Sequence, residues 1–203
     1  KRSQLTWSDG LGPDHPFVAS SAINISTIYI NRRAFEDAAA VLRPALGIME
    51  RAFGPDHPNV ADTLINLASL ANIQGRLREA AEANERALRI YMRVDPDRLV
   101  VISLLADLGD LQNLLGRHDQ ALASLRQALV LRQRQALPDL PAQIQLHLTI
   151  AEVLTDMRRP EAAAAEYRTA RELLGPDPEP ALLRSALTGL ARRPLRLEQD
   201  PAL

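Results

Sequence analysis

The sequence predicts an all-α fold, a right-handed α-solenoid of about four antiparallel helix pairs. Three observations lead there. The pentapeptide Gly-Pro-Asp-His-Pro occurs twice, at residues 12–16 and 54–58, an offset of 42 residues. That offset holds beyond the pentapeptide: Val18-Ala19 recurs as Val60-Ala61, Ile23-Asn24-Ile25 as Ile65-Asn66-Leu67, and Ala45-Leu46 as Ala87-Leu88. Within one period, apolar residues fall at helical spacing in two runs parted by Gly75. Self-similarity at this period is the signature of a repeat array, and the spacing within it is that of amphipathic helices.

Each element has its reason. Pro58 suits the first turn of a helix, where its missing N–H is no loss, and Asp56 and His57 stand in the capping region before it. Leu64, Leu67, Leu70 and Ala71 then share one helical face. Gly75 ends that helix, because glycine takes the left-handed conformation at little cost. Ala80, Ala83, Ala87, Leu88 and Ile90 form the apolar stripe of the returning helix. Ala68, Ala80 and Ala87 let the two helices approach closely, while larger residues fill the space between pairs. No single pair buries its apolar face, so stability comes from stacking neighbours.

Downstream the pattern drifts. Gly75-Arg76 reappears as Gly116-Arg117 and then as Arg158-Arg159; Ala80 becomes Ala121 and Ala163; Ala87-Leu88 becomes Ala128-Leu129 and Ala170-Arg171. Arg33 and Arg158 stand where glycine is expected, and His147 stands where Leu64 does. The expected organisation is a remnant or cap of a preceding helix at 1–11, repeats at 12–53, 54–94, 95–136 and 137–174, a capping helix within 175–193, and a disordered tail at 194–203.

Leu64-x-x-Leu67-Ala68, Gly75, Ala80 and Ala87-Leu88 together resemble the tetratricopeptide repeat. The long period and the Gly-Pro-Asp-His-Pro linker, followed by Val60 to Ala68, resemble its kinesin-light-chain type. That resemblance implies a protein-interaction scaffold whose first helices line a concave groove. The groove residues it implies are Asn24 and Thr27; Asp62, Ile65, Asn66, Ser69 and Asn72; Ala106, Asp107, Asp110 and Asn113; and Leu148, Glu152 and Asp156. This set lacks Lys and Arg, so the expected ligand is a basic and apolar protein or peptide segment. The column Asn24, Asn66, Asp107, Thr149 has two readings: it contacts a peptide backbone, or it bonds neighbouring helices. The resemblance also carries an alternative function, a regulatory or sensor array within a larger enzyme beside an ATPase or caspase-like protease module.

Other classes fare worse. The formal net charge is -1, which argues against general affinity for nucleic acid or acidic membranes. Arginines gather on the second helices, as at Arg86, Arg89, Arg93, Arg126, Arg132, Arg134, Arg168 and Arg171. They are read as a solvated face paired at helical distances with Glu82, Glu85, Glu166 and Glu172. His15 and His57 are linker residues near helix starts rather than metal ligands, His118 an exposed residue at a helix start, and His147 a hydrogen-bonded core histidine. Neither a nucleophile motif nor a phosphate loop occurs, so the expectation is no enzyme, no cofactor and no metal. Zero cysteine removes disulfides without fixing the compartment. No apolar run approaches the ~20 residues of a membrane helix, no signal peptide is visible, and the location expected is cytoplasmic. The chain begins with Lys1, its one lysine, rather than Met, which leaves a removed leader or a longer parent open. Its arginine, alanine and proline usage suggests a GC-rich bacterial genome. Self-association through the exposed terminal repeat is a further expectation.

Overall fold

The structure, a computed structural model, describes residue 12, residues 14–137 and residues 139–176. The expected remnant at 1–11, the expected capping helix and the expected tail lie outside the described residues. Eight helices are present among those described: α1 Pro16–Asn31, α2 Phe35–Phe53, α3 Pro58–Ile73, α4 Leu77–Val94, α5 Leu99–Leu114, α6 His118–Gln133, α7 Leu140–Asp156 and α8 Pro160–Leu174. The described residues hold no strand, and the architecture is an α-solenoid of helix pairs.

The residues divide into two compact units, meeting within α6 at Ser124–Leu125. In the first unit α1 packs on α2, α2 on α3, α3 on α4 and α4 on α5. The first helices α1 and α3 also touch directly. In the second unit α7 packs on α8.

The four turns within pairs share one geometry. Arg33, Gly75, Gly116 and Arg158 all take positive φ, at 58, 74, 75 and 56°. The N–H of each donates to the carbonyl three residues back, and the next N–H donates to the carbonyl five back, as in Arg76 to Ala71 and Ala34 to Tyr29. This is the Schellman closure of a helix C-terminus. The arginines at the glycine column therefore keep the glycine conformation.

The linkers repeat as faithfully. His15 and His57 are N-caps, each ring Nδ1 accepting at 3.2 Å from the backbone N–H two residues on, that of Phe17 and of Asn59. Asp14 pairs with Arg51 at 2.7 Å and Asp56 with Arg93 at 2.9 Å, so each linker carboxylate reaches the far end of its own pair's second helix. At α5 the corresponding residue is Arg98, which makes no side-chain cap; at α7 Asp139 caps Ala142 at 3.1 Å.

Small residues form the contact surface. Ala38, Ala80, Ala121 and Ala163 are buried, as are Ala45, Ala87, Ala128 and Ala170. On the first helices Ser26, Ala68, Gly109 and Ala151 make a third buried column. In the first unit Ala71, Ala80 and Ala81 gather with Leu108 and Leu111, and Ala38 and Leu42 with Leu70.

Candidate functional site

The four first helices contain no Lys or Arg, and among the described helices every Arg lies on a second helix. All their acidic residues, Asp62, Asp107, Asp110, Glu152 and Asp156, belong to the predicted groove set. Asp62, Ser69, Asn72, Asp107 and Asp110 are exposed on α3 and α5, as are Asn24 and Thr27 on α1; Ile65, Asn66 and Ala106 are half-buried. On α7 Asp156 is exposed and Glu152 half-buried.

Several of these side chains already have partners. Asp62 Oδ1 accepts a hydrogen bond from the Tyr91 hydroxyl of α4, and Arg98 lies over the Tyr91 ring at 5.1 Å. Burial first, then the Asp62 carboxylate, pushes the Tyr91 hydroxyl up to about 12, against a smaller opposing pull from Arg98. Asn66 donates to the Asp62 backbone carbonyl at 2.9 Å within the same helix. Asn113 Oδ1 meets His118 Nδ1 at 2.8 Å, so this histidine is half-buried and tied to the turn rather than exposed as expected.

Asp107 is set apart electrostatically. Desolvation first, and the neighbouring Asp110 carboxylate second, push it up to about 6. Water still reaches the residue; protein atoms crowd the rest of its surroundings, and a charge loses solvation there even without full enclosure.

Other side chains are placed differently from the groove reading. Leu148 is buried with Ile144 and Ala170, and Leu173 and Leu174 of α8 pack on that cluster. The Asn24, Asn66, Asp107, Thr149 column does not face one way. Asn24 and Asp107 are exposed, while Thr149 is buried and its hydroxyl donates to the Gln145 carbonyl at 2.9 Å. The arginines of the second helices do not pair along their own helices as expected. Arg86 reaches Glu50 of α2 at 2.6 Å, Arg93 reaches Asp56, and Glu166 pairs with His147. Long side chains at helix surfaces meet carboxylates of the adjacent element as easily as those one turn away. His147 is buried with Nδ1 2.6 Å from Glu166 Oε2, the core histidine expected.

Among the described residues no group of His, Cys, Asp and Glu could hold a metal ion, and no helix is long and apolar enough to cross a membrane. An open depression of ≈ 570 Å³ is lined by α2 residues Glu36, Ala39, Ala40, Arg43 and Pro44 with Gln74 and Arg76, and by none of those first-helix carboxylates. Arg76 there is held by Gln74 and, at 2.5 Å, by Glu79.

Tetratricopeptide repeat models match residues 28–93 and residues 102–134. Those two stretches are tetratricopeptide repeats. The chain's fold is similar to BtubC (BKLC) from P. vanneervenii, at a TM-score of 0.76 and 21% identity over 88% of this chain and 74% of that one. It is similar to a variant of the Podosopora anserina kinesin light chain nearly identical TPR-like repeats, at 0.75 and 16% over 85% and 82%. MamA follows at 0.63 and 14%, over 85% of each chain. No curated protein matches the sequence. Tetratricopeptide repeats mediate protein–protein contacts, and a protein partner is the general role this chain's repeats support.

Proposed function

We propose that this tetratricopeptide array binds a basic and apolar protein segment along the exposed faces of its first helices. The carrying observation is the exclusion of Lys and Arg from the described first helices. The first helices bear five carboxylates and no Lys or Arg. Surface of one charge sign attracts the opposite sign and raises encounter rates. Half-buried Ile65 and Ala106 beside Asp62 and Asp110 supply apolar contact between the charges. Specificity comes from these apolar positions, since an exposed ion pair contributes only ~0–1 kcal/mol.

The test is a fluorescence titration of two labelled peptides of equal length, one Arg/Leu-rich and one Glu/Leu-rich. The basic peptide binds more tightly to the native chain. The double variant Asp110→Lys, Glu152→Lys weakens that binding and favours the acidic peptide. Tighter binding of the acidic peptide to the native chain overturns the reading and moves the ligand to the arginine-bearing second helices.

A further inference from the structure

The described surface offers one feature that the charge pattern alone does not explain. A carboxylate on the exposed face of α3 is held by a phenol reaching out of the neighbouring helix. Tyr91 is 2% exposed, so its ring is locked by packing, and the Arg98 guanidinium lies over the ring face. Its hydroxyl is protonated at neutral pH as any phenol is, and burial and Asp62 push it further above that range. The phenol is therefore a permanent donor to Asp62 Oδ1. The repeat makes this pair singular. The positions equivalent to Tyr91 in the first and third repeats carry Met49 and Arg132, and those equivalent to Asp62 carry Ser20 and Ser103.

We propose that Tyr91 is a positioning residue that fixes Asp62 as a one-point anchor for a lysine ammonium of the bound segment. This rests on the groove reading above. An exposed carboxylate that must be ordered on binding loses affinity to that ordering; one already held by a rigid phenol does not. A guanidinium engages a carboxylate best through two parallel N–H···O bonds, which need both oxygens. With Oδ1 committed to the phenol, the compact ammonium, which needs a single acceptor, is favoured over the fork.

The experiment titrates labelled Lys/Leu-rich, Arg/Leu-rich and Glu/Leu-rich peptides of equal length against the full chain, Tyr91→Phe and Asp62→Asn, with melting curves for each. The native chain binds the Lys peptide at least as tightly as the Arg peptide. Tyr91→Phe shifts the preference toward Arg by about three- to fivefold, the range of one exposed charge contact. Asp62→Asn weakens both peptides, and it provides a reading of the anchor should Tyr91→Phe melt too low to titrate. An unchanged Lys-to-Arg ratio in Tyr91→Phe, or unchanged binding in Asp62→Asn, overturns the positioning role and leaves the groove reading standing. Binding of neither basic peptide above the acidic control overturns both.

Discussion

At the scale of single residues, the glycine column shows how a repeat tolerates exceptions. Arg33 and Arg158 occupy left-handed backbone that L-residues enter at a cost of about 1–2 kcal/mol. Glycine relieves that strain but loses more freedom on folding, about 0.5–1 kcal/mol. Arg33→Gly and Arg158→Gly should therefore each stabilise by roughly 0.5–1 kcal/mol in urea unfolding. Gly75→Ala should do the reverse. A Cβ there meets nothing within 4 Å, so the effect comes from φ alone and not from crowding. Asp107 makes a second residue-scale prediction. Its folded pKa is raised to about 6, above the unfolded carboxylate range. The proton it holds stabilises the fold fully below that unfolded range, and the benefit is lost as pH rises through 6. Asp107→Asn should thus raise stability at pH 7 and confer little at pH 4. Because water reaches the carboxylate and screens it, the gain at pH 7 is on the order of 1 kcal/mol. Denaturant midpoints at the two pH values check it; an equal gain at both would refute the linkage.

At the scale of elements, each helix start and each helix contact has an identifiable determinant. The His57 ring caps α3 with Nδ1 as acceptor, which requires its proton on Nε2. His57→Ala removes the cap and should cost about 1 kcal/mol, whereas His57→Asn keeps a side-chain acceptor and should cost less. Thermal melting of the two variants distinguishes capping from the stacking of the same ring on Phe53 at 4.7 Å, which both variants remove. The alanine columns set how closely helices approach. Ala80 and Ala121 are fully buried. Ala80→Trp and Ala121→Trp should each destabilise by about 1–3 kcal/mol or more, since overfilling a packed contact forces backbone shifts. Unchanged melting in both would mean that these alanines do not face neighbouring helices.

At the scale of the whole molecule, the arginines are sorted by helix rather than spread evenly. The described first helices carry carboxylates without Lys or Arg; the second helices carry arginines and carboxylates together, several arginines already engaged across elements with Glu50, Asp56 and Asp139. Binding of a basic segment to the first helices should weaken as salt is raised from low ionic strength to about 0.15 M, where the screening length is about 8 Å. A titration at two salt concentrations measures it, and binding indifferent to salt would point to apolar contact as the main source of affinity.

Much of this was legible in the sequence, because repetition compares the chain with itself. The 42-residue offset, the glycines and the alanines determined the eight described helices and the close contacts, since helix signals and small-residue spacing are local. The lack of Lys and Arg in the first helices was equally readable there. The rest depended on which way side chains turn between elements. Leu148 shares its column with Ile65 and Ala106 yet is buried, because it packs with Ile144 and Ala170 and Leu173 and Leu174 of α8 close on that cluster. Tyr91 lies 29 residues from Asp62, and no spacing rule joins them; only the packing of α4 on α3 brings the phenol to the carboxylate. The sequence alone determined the elements and the absence of Lys and Arg from the first helices, because those are read from local sequence. Tertiary structure decided which charges are held by partners and which face solvent, because that depends on contacts between segments far apart in the chain.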